Sequence, residues 1–357
     1  MNNPYDDQQH LRAVDAGDML SHIDAFADQL QNAWDLSQTL PLPDSHRTPR
    51  QIVLCGMGGS AIGGDLAAAL ISTSSPVPWS VVRGYDIPAY VSGPETLVLA
   101  SSFSGNTEET LAATEGALHN GTRLLALTTG GKLADHAAAH GYPLWQFDYV
   151  SQPRAALGWS FGLLVGLAHR LELAPNLDRD LADAITLLRE HQAQYAWDVP
   201  FDENPAKGGA SRLVGRLPVV LGSGMFEVIA RRWKGQLNEN AKTWAGFEGM
   251  PEANHNMVVS VGFPAAHDIS LSALFITSPQ YDHPRVQLRH QLTCDMCQEN
   301  NILAEIFRPA GDSALAQMLH AIQYGDYVSF YLALAYHADP TTIEPIVRLK
   351  DKLAQHP

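Results

Sequence analysis

Residues 96–109, with the sequence TLVLASSFSGNTEE, pass from an apolar run through a loop of small hydroxyl residues into a helix-forming segment. The apolar run at 96–100 predicts a buried strand, and residues 108–119 predict a helix. Residues 52–70 have the same order, because an apolar run at 52–55 leads through GMGGS into a second predicted helix at 61–70. A strand that leads through a tight loop into a helix is the building unit of parallel α/β folds.

The same alternation extends along the rest of the chain. Further strands are predicted at residues 79–83, 123–128, 143–147 and 218–221, within 267–277, and at 302–306. Further helices are predicted at residues 155–170, 178–194, 225–237, 285–300 and 313–336. We therefore predict an α/β fold class with two doubly wound domains, each a mostly parallel sheet flanked by helices. The predicted ranges are an N-terminal helical segment at 1–45, a first domain at 46–200, a linker at 204–209, and a second domain at 210–357 with a C-terminal helical segment.

The composition excludes several classes of protein. The chain has 357 residues, of which 23 are Lys or Arg and 38 are Asp or Glu, so its formal net charge is −15. This acidic balance argues against a nucleic-acid partner, which requires a basic surface. Three cysteines are too few for a secreted disulfide framework. Because no apolar run reaches the ~18–20 residues of a membrane helix and the start is polar, we expect no membrane partner and a cytoplasmic location.

The loops after the first and third predicted strands are suited to an anion. Glycines in GMGGS at residues 56–60 let backbone N–H groups and the positive end of a helix approach a ligand. The second loop adds the hydroxyls of Ser102, Ser104 and Thr107, which suit a phosphate monoester. From the residues alone, two plainer interpretations stay open: a tight turn for the first loop and an ordinary helix N-cap for the second.

The segment SFSGNTEET at residues 102–110 resembles the phosphosugar-binding motif of sugar isomerase (SIS) domains. Three further motifs narrow the resemblance: QPRAALG at 152–158, QLNENAK at 236–242 and MPEANHN at 250–256. Together they resemble the bifunctional phosphoglucose/phosphomannose isomerases of archaea and bacteria, and the resemblance covers nearly the whole chain.

The resemblance implies four catalytic residues, Glu239, His255, Lys350 and Arg154. Glu239 matches the base that moves a proton between C1 and C2 of the sugar, and Arg154 matches the cation that stabilises the enediolate. His255 and Lys350 match the residues that open the sugar ring, with His255 contributed to the site of the neighbouring subunit of a homodimer. Without the resemblance, the same residues would be interpreted as a solvated helix glutamate, a locally bonded loop histidine and two surface cations.

The resemblance also implies the residues that bind the substrate. The phosphate-binding set, which we call the phosphate cradle, comprises Gly58, Gly59, Ser60, Ser102, Ser104 and Thr107. Phe103 stands where many relatives have tyrosine, and Met257 where they often have an acidic residue. Tolerance of both C2 epimers is attributed in the family to a threonine near the C-terminus, for which Thr341 and Thr342 are the candidates.

The implied function is an aldose–ketose isomerase that acts through a cis-enediol. It would interconvert glucose 6-phosphate, fructose 6-phosphate and mannose 6-phosphate in glycolysis and gluconeogenesis, as a homodimer without a metal or organic cofactor. The alternatives are another phosphosugar isomerase and a non-catalytic SIS-domain phosphosugar sensor. A sensor would keep the hydroxyl loops without the base, the histidine and the lysine, so the presence of all three favours an enzyme.

Three other features are interpreted as structural. Cys294 and Cys297 form a Cys-x-x-Cys pair in a predicted helix, but a zinc site would need two more ligands. His136 and His140 are four residues apart on a helix without the glutamate of a metalloprotease motif, which indicates surface histidines. The Gly-Ser-Gly loop at 222–224 is interpreted as keeping the fold geometry rather than as a second ligand loop.

Overall fold

The computed structural model describes residues 3–263 and 270–355. The chain forms two compact units, each discontinuous in sequence. The four-stranded unit comprises Met1–Asp24, Glu190–Pro309 and Ala321–Pro357, and the five-stranded unit comprises Ala25–Arg189 and Ala310–His320. The predicted division into an N-terminal helical segment at 1–45, a first domain at 46–200 and a second domain at 210–357 stays a prediction.

The described residues contain two parallel sheets and thirteen α-helices. The strands are β1 Gln51–Gly56, β2 Trp79–Val82, β3 Thr96–Ser101, β4 Arg123–Thr128, β5 Leu144–Gln146, β6 Leu217–Ser223, β7 Gly246–Met250, β8 Leu271–Ile276 and β9 Leu303–Phe307. The helices are α1 Gln8–Val14, α2 Met19–Asp24, α3 Phe26–Thr39, α4 Gly58–Ile71, α5 Glu108–His119, α6 Gly131–His140, α7 Leu157–Arg170, α8 Leu177–Tyr195, α9 Pro205–Leu213, α10 Met225–Glu239, α11 Pro284–Glu299, α12 Ala314–Ala335 and α13 Glu344–Leu353. In this part of the chain, no helix is both long enough and apolar enough to cross a bilayer.

The five-stranded sheet has the order β2-β1-β3-β4-β5, with every neighbouring pair parallel. Its strands read as continuous apolar runs because helices cover both faces. Leu54 points towards α4, where a Cβ at Gly64 would lie 2.9 Å from the Leu54 side chain. Val53 and Cys55 point to the opposite face and pack with Ala113 of α5. The alternation along β1 therefore places α4 and α5 on opposite faces, which confirms the predicted doubly wound fold class.

The four-stranded sheet has the order β7-β6-β8-β9 and is also entirely parallel. Helix α11 covers one face and buries Cys294 and Cys297 in a cluster that includes Phe275 of β8. Burial raises the pKa of the Cys297 thiol to about 11. Both cysteines are free and buried, so they are core thiols, as the sequence indicated.

Two local predictions differ from the structure. The linker prediction for residues 204–209 is wrong, because Asn204 caps helix α9, accepting hydrogen bonds from the backbone N–H groups of Ala206 and Lys207. The Lys207 ammonium is fully buried and lies 2.7 Å from the Asp6 carboxylate, which ties α9 to the N-terminal segment of its own unit. Strand β7 was not predicted, because its sequence GFEGM has two glycines and little strand propensity. Of the predicted range 267–277, residues 267–269 lie outside the described residues.

Candidate functional site

The five-stranded sheet has a topological switch point between β1 and β3, where the order of the strands reverses. The chain passes from β1 to its neighbour β2 on one side, and from β3 to β4 and β5 on the other. The last residues of the two strands, Gly56 and Ser101, are paired in register. In open parallel sheets the loops diverge at such a switch point and leave a crevice for a ligand beyond the carboxyl ends of the strands.

The first loop brings backbone close to this crevice because it contains glycine. Gly58 begins α4 with a φ of +49°, a conformation that residues with a side chain rarely adopt. At Gly59, a Cβ would lie 2.7 Å from the carbonyl oxygen of Pro153, so only glycine allows that approach. Ser60 is buried, and its hydroxyl accepts a hydrogen bond from the N–H of Phe103 at 3.2 Å. This bond links the first loop to the second.

The second loop presents hydroxyl groups beside the start of α5. The Ser102 and Thr107 hydroxyl oxygens are 2.9 Å apart, and Ser104 is exposed with its hydroxyl accepting from the Asn106 N–H at 3.2 Å. Gly105 has a φ of +67°, and a Cβ there would overlap the carbonyl oxygen of Gly130. Thr107 occupies the N-cap position of α5, but its side chain makes no capping hydrogen bond. An ordinary N-cap therefore does not explain this loop.

Arg154 adds a cation to the same region of the five-stranded unit. It lies in a short 3₁₀ turn, Pro153–Ala155, and is 2 % exposed. Its backbone nitrogen is 3.4 Å from the position that a Cβ would take at Gly59, so the turn lies against the first turn of α4. The structure thus brings the phosphate cradle and Arg154 together: neutral donors, two helix N-termini and one guanidinium. Such a set is chemically suited to an oxyanion.

Glu239 and its motif lie in the four-stranded unit, at the end of α10. Glu239 is the last residue of the helix and is half-buried. Asn240 follows it, fully buried, and its amide donates to the Ser329 hydroxyl of α12 at 3.0 Å. Lys242 has a φ of +55° and donates from its ammonium to the backbone carbonyl of Glu239 at 2.6 Å. The sequence NENAK therefore fixes where α10 ends and holds the glutamate there.

His255 lies in the same unit, near the carboxyl ends of β6 and β7 and therefore near the start of α10. It is exposed at the end of a 3₁₀ turn, Glu252–His255, that directly follows β7. Met250, the last residue of β7, pairs with Ser223, after which α10 begins. Because α10 has 15 residues and is about 22 Å long, Glu239 at its far end is separated from His255 by roughly that length.

The remaining predicted residues lie near the C-terminus of the four-stranded unit. Lys350 is exposed on α13. Thr341 packs against Gly17, and its backbone N–H donates to the Asp339 carboxylate at 2.8 Å. The Thr342 hydroxyl donates to the carbonyl of Asp339 at 3.4 Å. The functional roles of all the predicted site residues stay a prediction.

The switch point of the four-stranded sheet, between β6 and β8, already holds a carboxylate. Asp282 is 8 % exposed and accepts hydrogen bonds from the hydroxyls of Ser223 at 2.5 Å and Thr277 at 2.7 Å, and from the N–H of Ser278 at 2.8 Å. These are the kinds of donor that the phosphate cradle offers in the five-stranded unit. This loop therefore has an internal anion, in agreement with its interpretation as structural, and Asp282 is a residue that sequence reasoning missed.

Comparison with known proteins finds a matching family model and close relatives of nearly the whole chain. Residues 202–353 match the family model of the bacterial phospho-glucose isomerase C-terminal SIS domain. A bifunctional phosphoglucose/phosphomannose isomerase from Caldicellulosiruptor bescii is 38% identical over 94% of this chain and 99% of its own length. One from Aquifex aeolicus is 34% identical over 85% of this chain and 91% of its own length.

A solved structure shows the same fold. A hypothetical protein from Thermus thermophilus superposes with a TM-score of 0.73 at 18% identity, covering 98% of this chain and 93% of that chain. The relatives' identity extends over nearly the full length of both sequences. The chain therefore belongs to the bifunctional phosphoglucose/phosphomannose isomerase family.

Proposed function

We propose that this protein isomerises hexose 6-phosphates, interconverting glucose 6-phosphate, fructose 6-phosphate and mannose 6-phosphate through a cis-enediol. One observation carries the proposal: hydroxyls and two helix starts converge at the switch point of the five-stranded sheet, in a chain of this family. The paired Ser102 and Thr107 hydroxyls and the glycine-rich start of α4 suit a phosphate monoester, which is the group that all three sugars share.

The phosphate cradle holds the substrate by its non-reacting end. The positive ends of α4 and α5 stabilise the phosphate charge, and the hydroxyls supply directed hydrogen bonds. Binding energy from this remote group positions the sugar carbons for reaction. Arg154 provides a fixed cation for the charge that develops on the enediolate oxygen.

Glu239 carries out the proton transfer. In the aldose-to-ketose direction its carboxylate removes the proton from C2 of the open chain. The C–H electron pair forms the C1=C2 double bond, and the C1=O π pair moves to O1, which takes up a proton to give the cis-enediol. O2 then loses its proton as the C2=O bond forms, and the C1=C2 electron pair takes the proton back from Glu239 at C1 to give the ketose, so the proton lost from O2 balances the one gained at O1. Return of a proton to C2 on the other face gives the second epimer, with Thr341 or Thr342 leaving room for rotation about the C2–C3 bond.

His255 and Lys350 open the sugar ring, and His255 does so in the site of a second subunit. The separation of Glu239 and His255 along α10 supports this arrangement, because one hexose is much shorter than that helix. A symmetric homodimer supplies each site with a histidine from its partner. We also propose that the enzyme acts in glycolysis and gluconeogenesis in the cytoplasm. The three buried free thiols fit a reducing compartment of that kind.

Proton NMR of the EDTA-treated protein with fructose 6-phosphate tests the proposal. We expect the anomeric signals of glucose 6-phosphate and mannose 6-phosphate to grow together in the metal-free sample. Growth of glucose 6-phosphate alone would contradict the bifunctional part of the proposal. Binding of fructose 6-phosphate without any turnover would contradict the enzymatic proposal and favour a phosphosugar sensor.

A further inference from the structure

A second cluster of polar side chains lies on helices α5 and α6, separate from the phosphate cradle. It consists of Glu115, His136 and His140, which we call the Glu115 cluster. One carboxylate oxygen and one nitrogen of each imidazole all lie within 4.8 Å of one another. None of the three belongs to the proposed catalytic set or to the cradle.

Packing of the two helices creates the cluster. His136 and His140 are four residues apart on α6 and so share one face, with ring centroids 4.2 Å apart. Small residues let both helices pack closely on the same sheet face: Ala113 on α5 and Ala137 on α6 are each 1 % exposed. This packing brings Glu115 of α5 to within 2.8 Å of the His136 Nε2 atom.

Each imidazole has an outer hydrogen-bond partner on its Nδ1 atom. The Nδ1 of His140 is 3.0 Å from the backbone carbonyl of His136, which can only accept, so this nitrogen carries the proton and Nε2 carries the lone pair. The Nδ1 of His136 is 2.8 Å from the Tyr142 hydroxyl. His140 thus has the arrangement of metal-bound histidines, in which the second ring nitrogen bonds an acceptor and fixes the orientation of the ring, and the Tyr142 hydroxyl can become such an acceptor for His136.

The carboxylate is the exposed ligand of the cluster. The Glu115 side chain is 66% exposed, whereas that of His136 is only 18% exposed. The half-buried imidazole and the exposed carboxylate can close around a cation with small side-chain rotations and leave solvent access for a water ligand.

We propose that the Glu115 cluster binds one divalent transition-metal ion of the zinc type. Two imidazole nitrogens and one carboxylate oxygen suit zinc, and ligands on a tetrahedral zinc lie about 3.3 Å apart. The present separations, 2.8 Å for the Glu115–His136 pair and at most 4.8 Å within the cluster, bracket that value. On binding, the His136 proton moves to Nδ1, where the Tyr142 oxygen accepts it, and water completes the coordination.

The ion joins α5 to α6 and has no part in the isomerisation. From the sequence, His136 and His140 were interpreted as surface histidines. The third residue of the cluster, Glu115, lies 21 residues before His136 on another helix, so no local motif includes it. Only the packing of α5 beside α6 reveals the set.

Metal titration of the full-length protein tests the proposal. The protein is stripped with EDTA, freed of chelator, and titrated with Zn²⁺ in competition with a chromophoric chelator, and separately with Co²⁺ while visible absorption is recorded. We expect one equivalent of Zn²⁺ and d–d bands of low-symmetry Co²⁺. H140A should weaken Zn²⁺ binding at least about 100-fold, and Y142F, which removes the outer partner of His136, about 10-fold.

The matched control is H119A, which removes another exposed histidine one turn beyond Glu115 on α5. It should bind Zn²⁺ as the unmodified protein does. E115Q repeats the test on a second helix with no change of side-chain shape, and circular dichroism checks that each variant is folded. The proposal fails if no saturable Zn²⁺ site is found, if H140A and E115Q bind normally, or if H119A weakens binding as much as H140A.

Discussion

Ser102 is the residue of the phosphate cradle with the clearest geometry. It is 2 % exposed, and its hydroxyl is 2.9 Å from that of Thr107. Because one hydroxyl of such a pair donates to the other, the second hydroxyl proton remains available to donate to a ligand. A phosphate that binds there gains charge-assisted hydrogen bonds.

Ser102→Ala should therefore weaken substrate binding more than it slows the chemical step. A hydrogen bond to a charged group contributes about 1.5–3 kcal/mol, so we expect KM for fructose 6-phosphate to rise roughly 10- to 100-fold with a much smaller change in kcat. Steady-state kinetics measure both. The control is Ser72→Ala, an exposed hydroxyl at the opposite end of α4. An unchanged KM for S102A would remove Ser102 from the cradle.

Sequence reasoning could propose the residues of the cradle because they lie in two short segments, at 58–60 and 102–107, and carry a recognisable motif. It did not find Asp282, because TSPQYDH at 277–283 has no distinctive pattern and its carboxylate bonds to Ser223, 59 positions earlier. Glu115 was missed for the same reason. Contacts between residues far apart in sequence depend on how strands and helices pack, which local patterns do not encode.

At the scale of elements, the two sheets use their switch points differently. The loops after β1 and β3 present donors and, among the described residues, have no carboxylate bonded to the Ser102–Thr107 pair, whereas the loop after β6 bonds Asp282. The internal carboxylate satisfies donors that would otherwise be buried without partners. One switch point thus has donors that suit an external anion, and at the other the donors are bonded to Asp282.

Asp282→Asn tests that closure. The amide keeps the size of the side chain but loses the charge, and its NH₂ group faces donors, so we expect the free energy of unfolding to fall by about 1–3 kcal/mol. Denaturant unfolding followed by circular dichroism measures the change. Asp183→Asn, at an exposed ion pair on α8, is the control and should change stability little. An equally stable D282N would mean that the carboxylate charge does not hold this loop.

The elements that sequence predicted correctly are those with a strong apolar period. Strand β3 is buried at every position, and α5 begins and ends at the predicted residues 108 and 119. Strand β7 escaped prediction because pairing with β6, rather than its own composition, makes it a strand. The linker interpretation failed at Asn204 because an N-cap followed by proline and two glycines resembles a loop until tertiary contacts bury it.

At the scale of the whole molecule, the proposed active site takes Glu239 from one chain and His255 from its partner. The separation of these residues by about the length of α10 supports that proposal. This arrangement makes a prediction about mixed dimers that no single-chain mechanism shares.

Mixing two inactive variants tests it. E239Q and H255A should each have very low activity, and co-refolded or co-expressed mixtures should recover roughly a quarter of native activity. Half of randomly assorted dimers are mixed, and in each of these one of the two sites has both native residues. Co-refolding either variant with itself is the control. Recovery no greater than the average of the two variants would show that Glu239 and His255 act within one chain, or that the protein is not a dimer.

We propose that Glu239 is the base that moves the proton between C1 and C2 of a hexose 6-phosphate. The most direct measurement is proton NMR in D₂O of fructose 6-phosphate with unmodified protein and with Glu239→Gln, with binding of the sugar measured in parallel. The account predicts that the unmodified protein forms aldose with solvent deuterium at C2. E239Q should bind the sugar with similar affinity but neither turn it over nor introduce deuterium. Near-native kcat or deuterium incorporation by E239Q would contradict the assignment of the base.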